Sequence, residues 1–390
     1  MERRYEQQNP WLTFQHKVEL NQLWAHMGEA HSKCQHLFGT PLQPGLADRL
    51  ASVYLRKGAL ATTAIEGNTL SEEQLDDVLD RGRSLPRSQA YLQQEVENVL
   101  RALMVLDGTT LAEPFRLTPE WLQEQNRLIL DGLELEEHAA PGRYTETQTV
   151  VGAYRSAPPE DVPYLIDRLC EWINDAFLVQ AAKPDTADDL RFYLAFLAAT
   201  FTHLYIAWIH PFGDGNGRTA RLAQVAILSR SGAVPWVSAN LLSDFYNRTR
   251  QHYYARLDAA SKRGEVDEFL LYSAAGFVDM LREQIGDVQT VQRRTAWVNY
   301  VHETMRGEPS GKTKDRRREL ALALPEEPTP RALLPRLNVD LAAAYASSER
   351  MLSRDLKRLL DLGLVRKLER GQWAANIRTI DAFKPILPAG

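Results

Sequence analysis

From Tyr193 to Ile209 the chain is apolar at almost every position, interrupted only by Thr200, Thr202 and His203. A helix apolar all round is either a membrane span or the centre of a folded core. This run is slightly short for a span, carries polar side chains and leads directly into a polar, glycine-rich loop, so the pattern predicts a buried central helix. A second helix is expected to start near Gly215 and continue through Ser229. Upstream, residues from about Asp48 to Ile65 carry helical periodicity, ended by the pair Gly67-Asn68. Between Gly142 and Gly152, β-formers alternate with polar residues, which predicts strand, and Ser156-Ala157-Pro158-Pro159 then leads into a new helix. Near the C-terminus the spacing predicts short helices at about Arg316 to Leu324, Leu333 to Tyr345 and Ser347 to Leu362, followed by a hairpin from Leu364 to Ile377. In the third of these, Leu352, Leu356 and Leu359 form one stripe and Arg350, Arg354 and Lys357 another. Ser347 or Ser348 is placed to cap its start and Gly363 its end. The expected class is mainly α.

Between the two central helices stands His210-Pro211-Phe212-Gly213-Asp214-Gly215-Asn216-Gly217-Arg218, with Arg221 one turn further on. The glycines allow backbone N–H groups to approach an anion closely, and a helix starting there adds a favourable dipole. Arg218 and Arg221 can make charge-assisted bonds to phosphate oxygens, and Asp214 offers the hard oxygens that Mg²⁺ prefers when it bridges phosphates. His210 is then free to take a proton. His203, two helical turns earlier on the same face, reads as a core residue held by hydrogen bonds.

This string resembles the signature of the Fic family, His-Pro-Phe-x-Asp/Glu-Gly-Asn-Gly-Arg-x-x-Arg, at every fixed position. The resemblance implies a Fic-fold helical core with a β-hairpin flap, and transfer of AMP from ATP to a Ser, Thr or Tyr hydroxyl of a target protein with release of pyrophosphate. By that resemblance His210 is the general base, Phe212 a buried anchor, and Asp214 the holder of Mg²⁺. Gly215, Asn216 and Gly217 form the anion cradle, Arg218 holds the β-phosphate and Arg221 faces the γ-phosphate. The string Thr62-Thr63-Ala64-Ile65-Glu66-Gly67-Asn68 resembles the family's inhibitory motif through Thr62, Glu66 and Gly67. It implies that Glu66 pairs with Arg221 and restrains the enzyme, leaving auto-AMPylation and reverse deAMPylation open. Glu66 would sit in the last helical turn, where the macrodipole disfavours a carboxylate and a cation is wanted.

The alternating segment at about 142–157 resembles the flap of such proteins, where an extended target segment is bound by main-chain pairing. Asn240, Asn247, Tyr253 and Tyr254 lie where family members contact adenine and ribose. Asn247 and Tyr254 are seven residues apart and are expected to share a helical face. Tyr253 and Tyr254 are equally open to being core aromatics.

Composition narrows the remaining choices. The chain has 390 residues, of which 44% are apolar, enough for two or three domains with real cores. Two cysteines, Cys34 and Cys170, make no disulfide framework or metal spacing. Met1 to Phe14 lacks an apolar export segment, so a cytoplasmic address and no membrane association are expected. Gly307 to Thr313 imitates a P-loop but is one residue short and follows no apolar strand, which makes it a linker. The expected organisation is an N-terminal helical region at 1–110 with the inhibitory helix at about 48–66, a core at 111–290 containing the loop 210–218, a linker at 291–315 and a final module at 316–390. That module resembles a winged helix. It holds 16 Lys+Arg against 10 Asp+Glu from residue 311 onward, while the whole chain is at −5. The asymmetry fits DNA or a docked protein equally. The partners implied are a target protein, ATP with Mg²⁺, and a second copy of the chain. The rival readings are a transfer of another nucleotide or of phosphate on the same core, and a DNA-binding regulator whose core senses nucleotide.

Overall fold

The computed structural model describes residues 3–18, 21–83, 85–108, 114–151, 154–346 and 348–381. Two compact units divide between Ile285 and Gly286. The first contains α1 (Asn21–Phe38), α2 (Pro44–Ile65), α3 (Glu72–Arg81), α4 (Ala90–Gly108), α5 (Pro119–Ile129), α6 (Val162–Ile173), α7 (Asp188–Ile209), α8 (Asn216–Arg230), α9 (Leu241–Arg248) and α10 (Arg250–Arg263). It also takes the first part of α11 (Val266–Thr304).

The apolar run is the centre of this unit. Among the described residues, α7 is the one helix long and apolar enough to cross a membrane, yet 83% of its apolar stretch is buried inside the protein. Phe192, Phe196, Phe201, Leu204 and Ile206 are fully enclosed. Each such side chain contributes about 2 kcal/mol through removal from water, which outweighs the modest helix propensity of Phe and Thr. Helix α7 packs mainly on α8 and α6, while α2 packs along α9. The approach of α2 and α9 requires Gly58, since a Cβ there would lie 1.7 Å from Asn240 Nδ2. Cys34 and Cys170 are buried and unpaired, and burial pushes both thiols up to about 12. They remain neutral thiols.

Helix α2 starts at Pro44, four residues before the expected Asp48, because proline fits the first helical turn, where its missing N–H is not needed. It ends as predicted, with Glu66 as the capping residue and Gly67 at φ 107°. The hairpin is smaller than the alternation suggested. Strand β1 (Val150–Val151) pairs antiparallel with β2 (Tyr154–Arg155), in the register Val150↔Arg155; residues 152 and 153 of the expected flap lie outside the described residues. Tyr144 and Thr145 pair instead with the loop after α7, forming a bridge to Phe212 and a bond to Pro211.

The second unit comprises the end of α11, then α12 (Lys312–Ala323), α13 (Val339–Tyr345) and α14 (Glu349–Asp361). Strands β3 (Thr329–Pro330), β4 (Val365–Lys367) and β5 (Gln372–Ala375) form an antiparallel sheet in the order β3-β5-β4. The segment expected to be a linker at 291–315 is α11 as far as Thr304. Trp297, Val301 and Met305 recur at helical spacing and are fully buried in this unit's core, so they belong to the fold. The expected helix at 333–345 is divided. Arg331–Arg336 is a 3₁₀ turn containing Pro335, and Asn338 then caps α13 by accepting the Leu341 N–H at 2.8 Å. Ser347 lies outside the described residues, Ser348 makes no side-chain cap, and Gly363 closes α14 at φ 71°. Leu352, Leu356 and Leu359 are buried.

Candidate active site

The loop from α7 to α8 is fixed by its own side chains. Helix α7 stops at His210, which adopts a left-handed backbone (φ 55°, ψ 58°), while its N–H still donates to the Ile206 carbonyl at 2.9 Å. A non-glycine residue held there is strained, and the packing around it maintains that strain. Phe212 is fully buried, 5.7 Å from the Tyr144 ring. Asn216 closes the loop: its Nδ2 donates to the Phe212 carbonyl at 2.7 Å and its Oδ1 accepts the Phe212 N–H at 2.9 Å. The Asn216 side chain is therefore committed to holding the loop, and the anion cradle expected from Gly215 to Gly217 is a matter of backbone N–H groups. Asn126 on α5 fastens the other side, donating to the Asp214 carbonyl at 2.9 Å and to Thr219 Oγ1 at 3.2 Å.

His210 and His203 have different environments. Burial pulls the His210 imidazole below its ordinary value, opposed by a bond to Ala207 and by the charges of Glu66 and Asp214. It is neutral at neutral pH and can accept a proton. His203 is fully enclosed, with Nδ1 at 2.9 Å from Gln224 Oε1 and Nε2 at 2.9 Å from Tyr253 Oη. Burial lowers it to about 3, so it is a neutral core residue as the sequence implied.

Thr62, Glu66 and Arg221, distant in sequence, meet here. Arg221 is buried and donates from Nε to Thr62 Oγ1 at 2.6 Å, and from Nη2 to the Thr62 carbonyl at 2.9 Å and to Glu66 Oε1 at 2.5 Å. Burial alone would raise the Glu66 carboxyl, but Arg221, with help from Arg218 and His210, holds it below the usual carboxylate range. Gly217 makes room for it, since a Cβ at that position would stand 2.2 Å from Glu66 Oε1. Arg218 is also engaged, by Glu95 on α4 at 2.5 Å and by Asp214 Oδ1 at 2.9 Å. Its Nε is buried without a partner. The second oxygen of Glu95 accepts from Asn68 Nδ2 at 2.8 Å, which ties the turn after Glu66 to the Arg218 guanidinium.

Two cavities adjoin these groups, and Glu66 lines both. One, of about 490 Å³, is bounded by His210, Gly217, Arg221, Tyr154, Trp208, Tyr254 and Leu257. The other, of about 910 Å³, is bounded by Asp214, Arg218, Glu95, Asn68 and Glu134. Tyr254 lines the first, but Asn247 lines neither. The two do not share a helical face, because the helix breaks at Thr249 (φ −112°, ψ 30°), whose hydroxyl bonds the Phe245 carbonyl and Tyr272. Tyr253 is almost fully buried yet also lines the first cavity, and Tyr254 is half exposed.

Glu95, Asn126, Asp258 and Ser261 were not singled out from the sequence. Asn126 left a trace, as a polar residue at a core-facing position between Leu122 and Ile129. Glu95 left none, since it stands in a polar stretch of α4 and its partner is 123 residues away.

Residues 116–228 match the Fic/DOC family. Over 230 residues the chain is 31% identical to the protein adenylyltransferase fic-1 of Caenorhabditis elegans, covering 59% of this chain and 41% of that protein. It is 28% identical over 216 residues to the protein adenylyltransferase Fic of Nematostella vectensis, covering 55% and 44%. The chain thus spans less than half the length of these relatives. Among solved structures, a Fic family protein from Desulfovibrio desulfuricans G20 aligns over 93% of this chain and 98% of its own, with a TM-score of 0.56 and 19% identity, a likeness of fold. Fic-1 from C. elegans aligns over 69% and 73%, with a TM-score of 0.55 and 26% identity.

Proposed function

With residues 116–228 carrying a Fic/DOC domain, we propose that this chain transfers AMP from ATP to a hydroxyl of a target protein, and that Glu66 restrains the reaction. The observation that carries this reading is the convergence of a neutral, partly exposed His210 with two arginines and a helix start on cavities that meet at one carboxylate. The names of the sequence relatives support it.

In this account the adenosine occupies the cavity walled by Tyr154, Trp208, Tyr254 and Leu257, a mostly apolar wall with few polar groups. Asp258 and Ser261, in the same wall, can receive ribose hydroxyls. The phosphates lie across the start of α8, where the dipole and the N–H groups from Asn216 onward favour negative charge, the Gly215 N–H being taken by Asp214 Oδ1. The unpartnered Nε of Arg218 suits a phosphate oxygen. His210 takes the proton of the target hydroxyl as its oxygen attacks the α-phosphorus. The bond from that phosphorus to the α–β bridging oxygen breaks, and pyrophosphate leaves. Positioning and electrostatics supply most of the acceleration in such a transfer.

Asp214 is the residue that would hold Mg²⁺. A single carboxylate at the rim of a cavity fits an ion that takes most of its ligands from phosphates and water. Among the described residues there is no cluster of three or more metal-binding side chains, which suits an ion arriving with the nucleotide. Its chemistry would be to neutralise charge on the leaving phosphates.

Glu66 occupies Arg221 where a γ-phosphate would need it, so ATP bound beside the pair is misplaced. The target segment is expected to lie along the exposed edge of β1, where Val150 is 60% exposed. Incubation with ATP labelled at the α or γ position tests the reaction. AMP transfer places only the α label on protein, and the His210→Ala variant places none. Label from the γ position would replace this reading with phosphate transfer.

A further inference from the structure

The second unit sorts its basic residues into two groups. Arg316 and Arg317 both donate from Nε to the buried carboxylate of Asp355, at 2.7 and 2.8 Å, and Tyr345 Oη donates to the same group. Arg317 and Arg358 both reach Glu308, at 3.0 and 2.6 Å. These three arginines are neutralised within the fold. Arg350, Arg354 and Lys357 are exposed, and among the described residues no carboxylate lies within ion-pairing distance of them. They recur at helical spacing along the outer face of α14, opposite Leu352, Asp355, Leu356 and Leu359. Arg331 is drawn to the same face by donating to Ser353 Oγ at 2.6 Å. Exposed Lys367 and Arg370 flank the turn between β4 and β5.

We propose that this face of α14, with Arg331 and the β4–β5 turn, docks double-stranded DNA through its phosphates. A row of unpaired cations on a single helix, about 20 Å long, suits a polyanion and fits a major groove about 12 Å wide. A protein partner would be expected to find a buried aromatic or aliphatic anchor. The one large apolar residue exposed on α14 is Leu360, in the last turn beyond the basic residues. The contacts are to the backbone, so binding is tolerant of sequence and steeply dependent on salt.

Fluorescence anisotropy of the full chain with a labelled duplex of mixed sequence, at stepped salt concentrations, tests the proposal. The logarithm of affinity should fall with the logarithm of salt with a slope of about −3 to −5, from four or five neutralised phosphates. The triple variant Arg350→Ala/Arg354→Ala/Lys357→Ala should weaken binding at least tenfold and reduce the slope by about 3. Arg318→Ala, which removes a cation already paired with Asp315, should change neither. Absence of binding at low salt, or equal binding by the triple variant, would overturn the proposal. Tighter capture of poly-glutamate than of the duplex would overturn it in favour of an acidic protein.

Discussion

At the scale of single residues the site depends on which charges are already satisfied. His210 is lowered from its ordinary value by burial, and a general base must be unprotonated to act. The acid limb of kcat/KM against pH should therefore have its midpoint below about 6.5 and be flat through neutrality; an acid limb centred above 7 would contradict that assignment. Glu66 contributes one of the charges that raise His210, so the limb should move to still lower pH in Glu66→Gly. The Glu66 carboxyl is itself depressed. Its pairing with Arg221 is present above the ordinary carboxylate range and is lost only as pH falls through the lowered value, so mild acid should not release the restraint. Glu95 holds one arm of Arg218. In a Glu66→Gly background, Glu95→Gln should lower the KM for ATP several-fold, because a neutral amide competes less well than a carboxylate for the guanidinium. A KM that rises would show instead that Glu95 presents Arg218 to the nucleotide.

At the scale of elements, α7 and α8 hold the loop between them through Phe212 and Asn216. Phe212→Ala should cost about 3–5 kcal/mol, measured by denaturant unfolding, and should lower activity by loosening His210. A loss below about 1 kcal/mol would mean that the loop does not depend on this anchor. The central helix, the loop and the helix that ends at Glu66 were legible in the sequence because each carries a local signal: a continuous apolar run, glycines at fixed offsets, and Gly67-Asn68 as a stop. Long-range bonds leave no such mark. The pairing of Arg218 with Glu95 joins two helices far apart in the chain, and the break at Thr249 depends on Tyr272, on another helix. That break undid the expected alignment of Asn247 with Tyr254. The linker expected at 291–315 rested on Gly307 to Thr313, where glycines, Pro309 and flanking charges outweigh the helical spacing of Trp297, Val301 and Met305.

At the scale of the whole molecule, each unit has its own core and its own buried ionic arrangement. In the second unit Asp355 is 1% exposed and serves two arginines and a tyrosine. Removing one partner of a buried ionic group typically costs about 3–5 kcal/mol, because the remaining charge is uncompensated. Asp355→Ala should lower the calorimetric transition of the second unit while leaving intact the transition that ATP stabilises; a single unchanged transition would contradict this independence. In the first unit Glu66 holds Arg221, the arginine that the proposed reaction needs for a phosphate. The most direct test is the initial rate of α-label transfer by wild type and Glu66→Gly at saturating ATP and Mg²⁺, with Glu66→Gly/His210→Ala as the blank. The rate should be at least tenfold higher in Glu66→Gly than in wild type and absent in the double variant. Equal rates in wild type and Glu66→Gly would contradict the restraint, and label retained in the double variant would contradict the assignment of His210 as the base.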